Sequence, residues 1–597
     1  MASVPVVQNE SWYLSLLGIA ESFRTASPPK IKHCIHCLQS IFQFKPPLAI
    51  EARTRLQLGS LLFAHTKNID LARTHLERAW MIAQSQTIPA FEEVKFESAS
   101  LLAEIHQQQK QFQFAKQILR KAISSSQQVA YWHCRLLFQL AQIHTHEKDF
   151  LSACELLGVG ADYAAVAGSE YTQTLFLLSK GMLLLIEHKL SEVHTVLSKC
   201  GTLIEHSQIN PTLKESLTVF FLVLQVSHYL VAGQVRGVKQ PLKSLQQAIQ
   251  KITNLNSDDE PLPPNPADYF HWLPKEHMCV LVYLITVMHS MQSGYMDKAH
   301  KYTDKALLQI EKLKIIDSHP ILAAFQLMLL EHIIMCRLVM GQKSAAIQEI
   351  SQACQVCTQN PRLFSTHGSQ LHTLLGLYAM SMNCMERAEA QFNTALRLTS
   401  STELWQFISF NLAIVYLRTG KQQDLVNILE RIDPERTQIA SHSLRAAGYY
   451  VRGLQAFFQA RYNEAKRYLR ETLKMTNLED LNRLTACSLV LLGHIFLSVG
   501  NTTESMNMVS PAMQLASKIP DLHVQLWASA LLRDLYQMLR DPIRQAESYQ
   551  MHNDFSQQLL KDHYQSSQQP EHNLLQWVDG PLPPFVFNSG GPSSSLL

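Results

Sequence analysis

Two CxxC pairs, Cys34 with Cys37 and Cys354 with Cys357, are the residues of this chain whose type and spacing come nearest to chemistry. Thiols at that spacing serve either as half of a tetrahedral zinc site or as a redox couple. Zinc needs four ligands, and although His33 and His36 flank the first pair, neither pair has a second one nearby. Redox use needs a thioredoxin-like βαβ setting, which the surrounding helical pattern lacks. Both pairs are therefore read as small apolar side chains facing a neighbouring helix. Gly158-Val159-Gly160 has the form of a dinucleotide-loop opening, but it sits inside a helical segment and follows no strand. No Walker loop, HExxH or GxSxG is present, and the 26 histidines form no paired ligand motif. The densest basic stretch, Arg461, Lys466, Arg467, Arg470 and Lys474, is broken by Glu464 and Glu471, so it reads as a solvated helix face with pairing along it. These residues point to a chain that is not an enzyme and holds no metal, cofactor or small-molecule substrate.

The elements that carry these residues follow a cadence. A small residue returns about every 40 residues within a recurring apolar pattern. Gly376, Ala379, Ala388, Phe392 and Ala395 form one copy; Ala103, His106, Ala115, Leu119 and Ala122 form another. Ala141 to Gly160, Gly453 to Thr472 and Gly493 to Ala512 repeat the spacing, and weaker copies fill the gaps. The small positions let two helices approach closely. Gly233, Gly294, Gly341, Asn383, Gly420 and Gly500 fall where helix A turns into helix B, and these residues tolerate the left-handed conformation that ends helices. The pattern is that of the tetratricopeptide repeat. The expected fold is all-α: a right-handed superhelical solenoid of TPR-like helix pairs, about eleven or twelve of them, with a fraying last pair around Leu532 and Ala546.

Composition agrees. Apolar content of 46% with charge at 17% suits packed helices and argues against disorder. A net charge of +3 lacks the basic footprint of a nucleic-acid binder. The start, MASVPVVQNE, has neither a basic n-region nor an apolar core, and the longest apolar run, Met278 to Met288, is shorter than the roughly 20 residues of a membrane span. A soluble, intracellular chain with free thiols is expected. The expected organisation is an N-terminal helical pair over 1–50, N-terminal repeats over 51–253, a proline-rich linker over 254–275, C-terminal repeats over 276–564 and a partly disordered tail over 565–597. Tyr269, Phe270 and Trp272 in the linker are read as a staple folding back on the repeats, and Trp577 as a candidate to dock before the NSGGPSSSLL end.

In such a solenoid helix A lines the concave surface. The repeat register places Leu178, Met182 and Leu185 there in one copy, and Phe220, Val223 and Leu230 in the next. Leu284, Met288 and Met291 follow, then Phe407 and Phe410, then Tyr450 and Phe457. The expectation is an apolar groove filled by an extended segment of a partner chain, since large exposed apolar patches mark interaction sites. The alternative is a generic TPR peptide-binding adaptor. Chaperone and kinesin-type clamps present Lys, Arg and Asn in that groove, where this chain is largely apolar.

Longer words of the chain carry a resemblance. SWYLSLLG from Ser11, SPPKIKHCIHCLQSIF from Ser27, YWHCRLLFQLAQIHT from Tyr131, NPADYFHWLPKEHMCVLVYL from Asn265, RYNEAKRYLRETLKM from Arg461, EDLNRLTACSLVLLGHIF from Glu479 and PEHNLLQWVDGPLPP near the end are similar to the tetratricopeptide subunit of the cohesin loader, the animal homologue of sister chromatid cohesion protein four. The resemblance runs from about residue 11 to about residue 585. It implies a non-catalytic scaffold that forms a heterodimer by binding the extended N-terminal segment of the large Nipped-B-type subunit. It further implies indirect contact with cohesin, support for cohesin loading and sister chromatid cohesion, and a place in the nucleus on chromatin. No short family motif assigns individual contact residues.

Overall fold

The computed structural model describes residues 4–86, 88–254, 270, 272–316, 320–437, 439 and 441–583. Tyr269, most of the proline-rich stretch and the NSGGPSSSLL end lie outside them. Among the described residues, twenty-six α-helices form thirteen consecutive pairs, and no strand occurs. The last pair, expected to fray, is complete: Leu522–Met538 is followed by the 26-residue Pro542–Ser567, whose start is capped by Asp541 accepting from the Arg544 amide.

The turn inside each pair explains why the repeat is so regular. Asn383 and the glycines at 233, 294, 341, 420 and 500 all have positive φ. The first two pairs turn without this conformation, Leu48–His65 ending on an extended Thr66, while it occurs again at Lys110, Lys148, His188, Ala460 and Arg540. In each case the next amide reaches back to a carbonyl of the preceding helix, as Gln111 N to His106 O at 2.8 Å, Arg461 N to Ala456 O at 2.8 Å and Asp541 N to Tyr536 O at 3.0 Å. This is the hydrogen-bonded left-handed helix ending, and its bonds hold non-glycine residues there against their steric cost.

The small residues decide how close the two helices come. A Cβ on Gly376 would lie 2.5 Å from the Phe392 ring, and one on Gly493 would lie 2.3 Å from Val509 Cγ2. Ala388, Ala395, Ala465 and Ala512 are wholly buried at the same seam. Ser505 takes the alanine position in its copy and donates from Oγ to Gly493 O at 2.7 Å, so its hydroxyl is satisfied inside the contact. Successive pairs stack, each helix A also touching the helix A of the next pair over much of the array.

The helices form two compact units. One comprises residues 1–221 and 255–272, the other 222–254 and 273–597, with the division inside the helix Pro211–Val231. In the second unit, helices five pairs apart meet. Gly233 ends Pro211–Val231 against the start of His442–Phe458, where a Cβ would lie 2.6 Å from Ser443 N, and Ala232 O accepts from His442 N at 2.9 Å. Here glycine is required both by φ and by space. Asn482 Nδ2 donates to Ser293 O at 2.7 Å, and Gly341 lies against Leu522 and Leu559. The second unit therefore winds tightly enough for one turn to pack on the next. Pro320–Val339 is long and apolar enough to cross a membrane, although Gln326, Glu331, His332 and Arg337 leave it no long unbroken apolar run. It packs instead among Met296, Leu371, Leu374 and their neighbours as a core helix of this unit.

Candidate functional site

The chemistry-bearing residues are absorbed by the scaffold. Cys354 and Cys357 are wholly buried in helix Lys343–Gln359, and burial pushes both thiols up to about 12. No group of three metal-ligating side chains occurs among the described residues. Gly158 to Gly160 lie within Phe150–Val166. In the basic stretch Arg461 pairs with Glu464 at 2.5 Å and Lys474 with Glu471 at 2.6 Å, while Arg467 lies over the Tyr468 ring. This is a paired helix face.

The helix-A faces carry the site geometry. In the first unit part of that face is covered by the chain itself. Trp272 stacks on Phe220 with ring centroids 4.1 Å apart and planes 2° from parallel. Phe270 lies against Tyr131 and Phe138, and its carbonyl accepts from Tyr171 Oη at 2.7 Å. Two of the three linker aromatics thus act as the staple; Tyr269 lies outside the described residues.

In the second unit the last helix and the segment after it pack back on earlier helices. The Asp562 carboxylate accepts from Lys343 N at 2.6 Å and from Ser344 Oγ at 2.8 Å, capping a helix some two hundred residues earlier. Pro570–Gln576 forms a 3-10 helix, and Trp577 packs 4.3 Å from the His372 ring. Gln391 Nε2 donates to Trp577 O at 2.7 Å while its Oε1 bonds His372 Nδ1. Trp577 is thereby docked on Pro361–Ser381 and Met385–Leu398.

A different stretch of the second unit stays open. Along His442–Phe458, Asn482–Ser498 and Leu522–Met538, the side chains of Tyr450, Phe457, Cys487, His494 and Trp527 are half-buried. Phe457 lies 5.0 Å from the His494 ring, and Trp527 Nε1 donates to His494 Nδ1 at 3.3 Å. Arg483 donates from Nε to Asp521 at 2.7 Å; its side chain is 46% exposed while that of Asp521 is 1% exposed. Burial pushes Cys487 up to about 11, raises the Tyr450 phenol and lowers His523, although His523 is exposed to water. These side chains lie on three successive helix-A segments of the second unit, with Arg483 and His523 open to water.

Residues 12–542 match the model of the cohesin loading factor family. The chain belongs to that family. Relatives include the MAU2 chromatid cohesion factor homolog of Aedes aegypti, 56% identical over 581 residues that cover 96% of this chain and 93% of the relative. The homolog of Drosophila melanogaster is 52% identical over 594 residues, 98% of this chain and 93% of its own. Among solved structures, Scc4 in complex with Scc2n aligns with a TM-score of 0.58, covering 94% of this chain and 100% of that one at 11% identity; the likeness is one of fold.

On this cohesin loading factor the groove residues expected from repeat register separate into two groups. Leu178, Phe220, Val223, Leu230, Leu284 and Phe410 are buried by the chain itself. Leu284 packs with Val280, Val287, Ala299 and Ala306, and Phe410 packs in the core beside Gly448. All six are buried in this structure: Phe220 lies under Trp272, and Leu284 and Phe410 belong to helices that also contact the helix A of the next pair, so the free stripe is narrower than the register assumed. Leu185, Met288, Met291, Phe407, Tyr450 and Phe457 are half-buried, and Met182 is 43% exposed. Tyr450 and Phe457 share one face of His442–Phe458, two turns apart. Missed from the sequence were Arg418, Arg483 and His523, which bring charge to a groove expected to be apolar. Arg483 and His523 both hold the second position of a helix A, one repeat apart, a spacing that could have flagged them.

Proposed function

We propose that this chain is the non-catalytic scaffold of a cohesin-loading complex and that its open helix-A stripe holds an extended N-terminal segment of a Nipped-B-type large subunit. The heterodimer supports loading of cohesin onto chromatin for sister chromatid cohesion, and it works in the nucleus. Contact with cohesin and chromatin is made through the complex. The observation that carries this reading is the half-buried row of Tyr450, Phe457, His494 and Trp527, in a chain whose family is that of cohesin loading. Aromatic side chains left half-covered gain most from a partner that completes their burial. Support comes also from Scc4, a protein of the same fold crystallised in complex with Scc2n.

Size-exclusion chromatography of the full chain, co-expressed with the N-terminal segment of a Nipped-B-type protein, tests the reading. A stoichiometric complex is expected, weakened by Phe457→Glu with Trp527→Ala in a chain that still melts cooperatively. A monomer that ignores the segment would leave a generic peptide-binding adaptor in its place.

A further inference from the structure

Three helix-A residues outside the apolar row converge in the second unit. Arg418 lies in the last turn of Thr402–Thr419, and Arg483 and His523 open Asn482–Ser498 and Leu522–Met538. All three are exposed or close to half exposed. Arg483 Nε lies 2.7 Å from Asp521, two residues before His523 at the start of the next helix A, and the charges of Arg418 and Lys343 also reach His523. Gly341, packed on Leu522, brings Lys343 to the same place.

The carboxylates of this neighbourhood are already committed. Asp521 accepts from Val524 N through Oδ1 and from Arg483 Nε through Oδ2, and it is closed off from water. Asp562, which acts on Lys343, spends both oxygens on the start of Lys343–Gln359. The guanidinium groups are not closed off in the same way. Arg418 donates to Asn383 Oδ1 at 2.7 Å, a neutral acceptor. The Tyr450 phenol lies within electrostatic reach of Arg483 and adds a neutral donor. The solvent side of this cluster is therefore made of donors and positive charge, with its negative charge turned inward.

We propose that the face formed by Arg418, Arg483 and His523 receives acidic side chains, so that the partner stretch crossing the second unit is rich in aspartate or glutamate. The proposal rests on the partner reading above and specifies the chemistry of its ligand. Guanidinium groups pair with carboxylates through two parallel hydrogen bonds, and a bound chain that covers such pairs lessens their screening by water. Charge at this end sets the register of the extended segment, while the aromatic row beyond it supplies apolar burial.

The test uses the full chain, its Arg418→Glu and Arg483→Gln variants, and overlapping 20-residue peptides from the N-terminal segment of a Nipped-B-type protein. Circular dichroism melting of each variant checks that it folds. The expected result is that the peptides that bind are acidic, that each variant binds them about tenfold or more weakly, and that affinity falls steeply with salt. Replacing glutamate by arginine in the bound peptide should restore binding to Arg418→Glu. If the segment binds both folded variants as tightly as the wild type, the acidic inference is overturned and the partner reading stands. If the wild-type chain ignores the segment altogether, the partner reading fails. A glutamate-rich 20-mer then decides the inference: Arg418-dependent binding supports it, and no binding overturns it.

Discussion

Gly18 and Gly376 lie in helices, yet substitution should move them in opposite directions. A Cβ on Gly18 meets nothing within 4 Å, so Gly18→Ala gains helix propensity, about 0.5–1 kcal/mol. On Gly376 the same atom would sit 2.5 Å from Phe392, whose wholly buried ring has no room to yield. Overpacking of about 1–3 kcal/mol then exceeds the propensity gain, and Gly376→Ala should melt lower. Paired melting curves check both signs. Leu284→Glu also belongs to packing: with Leu284 1% exposed, a carboxylate there should cost on the order of 4 kcal/mol, read as a lower urea midpoint, before any partner is added. The buried thiols yield a third expectation. With Cys354 and Cys357 held up near 12, both stay protonated at neutral pH, and thiolate reactivity returns only as pH rises toward that value. Iodoacetamide should leave them unlabelled in the native chain at pH 7.5, and EDTA should not change the melting curve.

At the scale of single helices, the ends set the architecture. From Glu92–Gln108 onward the A-to-B turns use the same left-handed ending, whether the residue is Gly500, Lys148 or Ala460, because the hydrogen bond back into helix A outweighs a steric cost of roughly 1–2 kcal/mol. Helix starts are less uniform. Asp149, Ser169, Ser401, Asn501, Asp521 and Asp541 cap their own helices, and Asp149 is drawn down to about 2 by hydrogen bonds from His144 and Ser152. Lys343–Gln359 has no local cap: Gln342 accepts nothing from it, and Asp562 supplies the acceptor from the last helix. Asp562→Ala should therefore cost about 1–2 kcal/mol. Faster amide exchange in Lys343–Gln359 would register the loss, with Asp562→Asn retaining much of the protection.

On the largest scale, most of the chain behaves as stacked neighbours, and coupling decays along such an array. The second unit departs from this where its turns meet, at Gly233 with Ser443, Ser293 with Asn482, and Gly341 with Leu559. Trp577 and the residues before it continue that succession, resting on Pro361–Ser381 where a further helix pair would otherwise lie. Deleting residues 569–597 should raise exchange in Pro361–Ser381 and Met385–Leu398 by exposing His372, Tyr378 and Gln391. Ile69–Gln84, in the other unit, should be unchanged.

Much of this was legible from spacing. The small-residue cadence of Gly376, Ala388 and Ala395 is a local demand, since two helices joined by a short turn must meet at those positions whatever surrounds them. The left-handed glycines are equally local. Long words such as NPADYFHWLPKEHMCVLVYL carried the family, because their order reflects descent as well as packing. The candidate site was less legible. Leu284 and Met288 look alike as apolar residues one helical turn apart, but their burial depends on which neighbouring helix A lies over them. Arg418, Arg483 and His523 are separated by 65 and 40 residues, and their convergence arises from the pitch of the winding. That pitch sums small rotations over many pairs, a quantity no single repeat encodes, and it also decides that Asp562 caps Lys343 and that Trp577 finds His372.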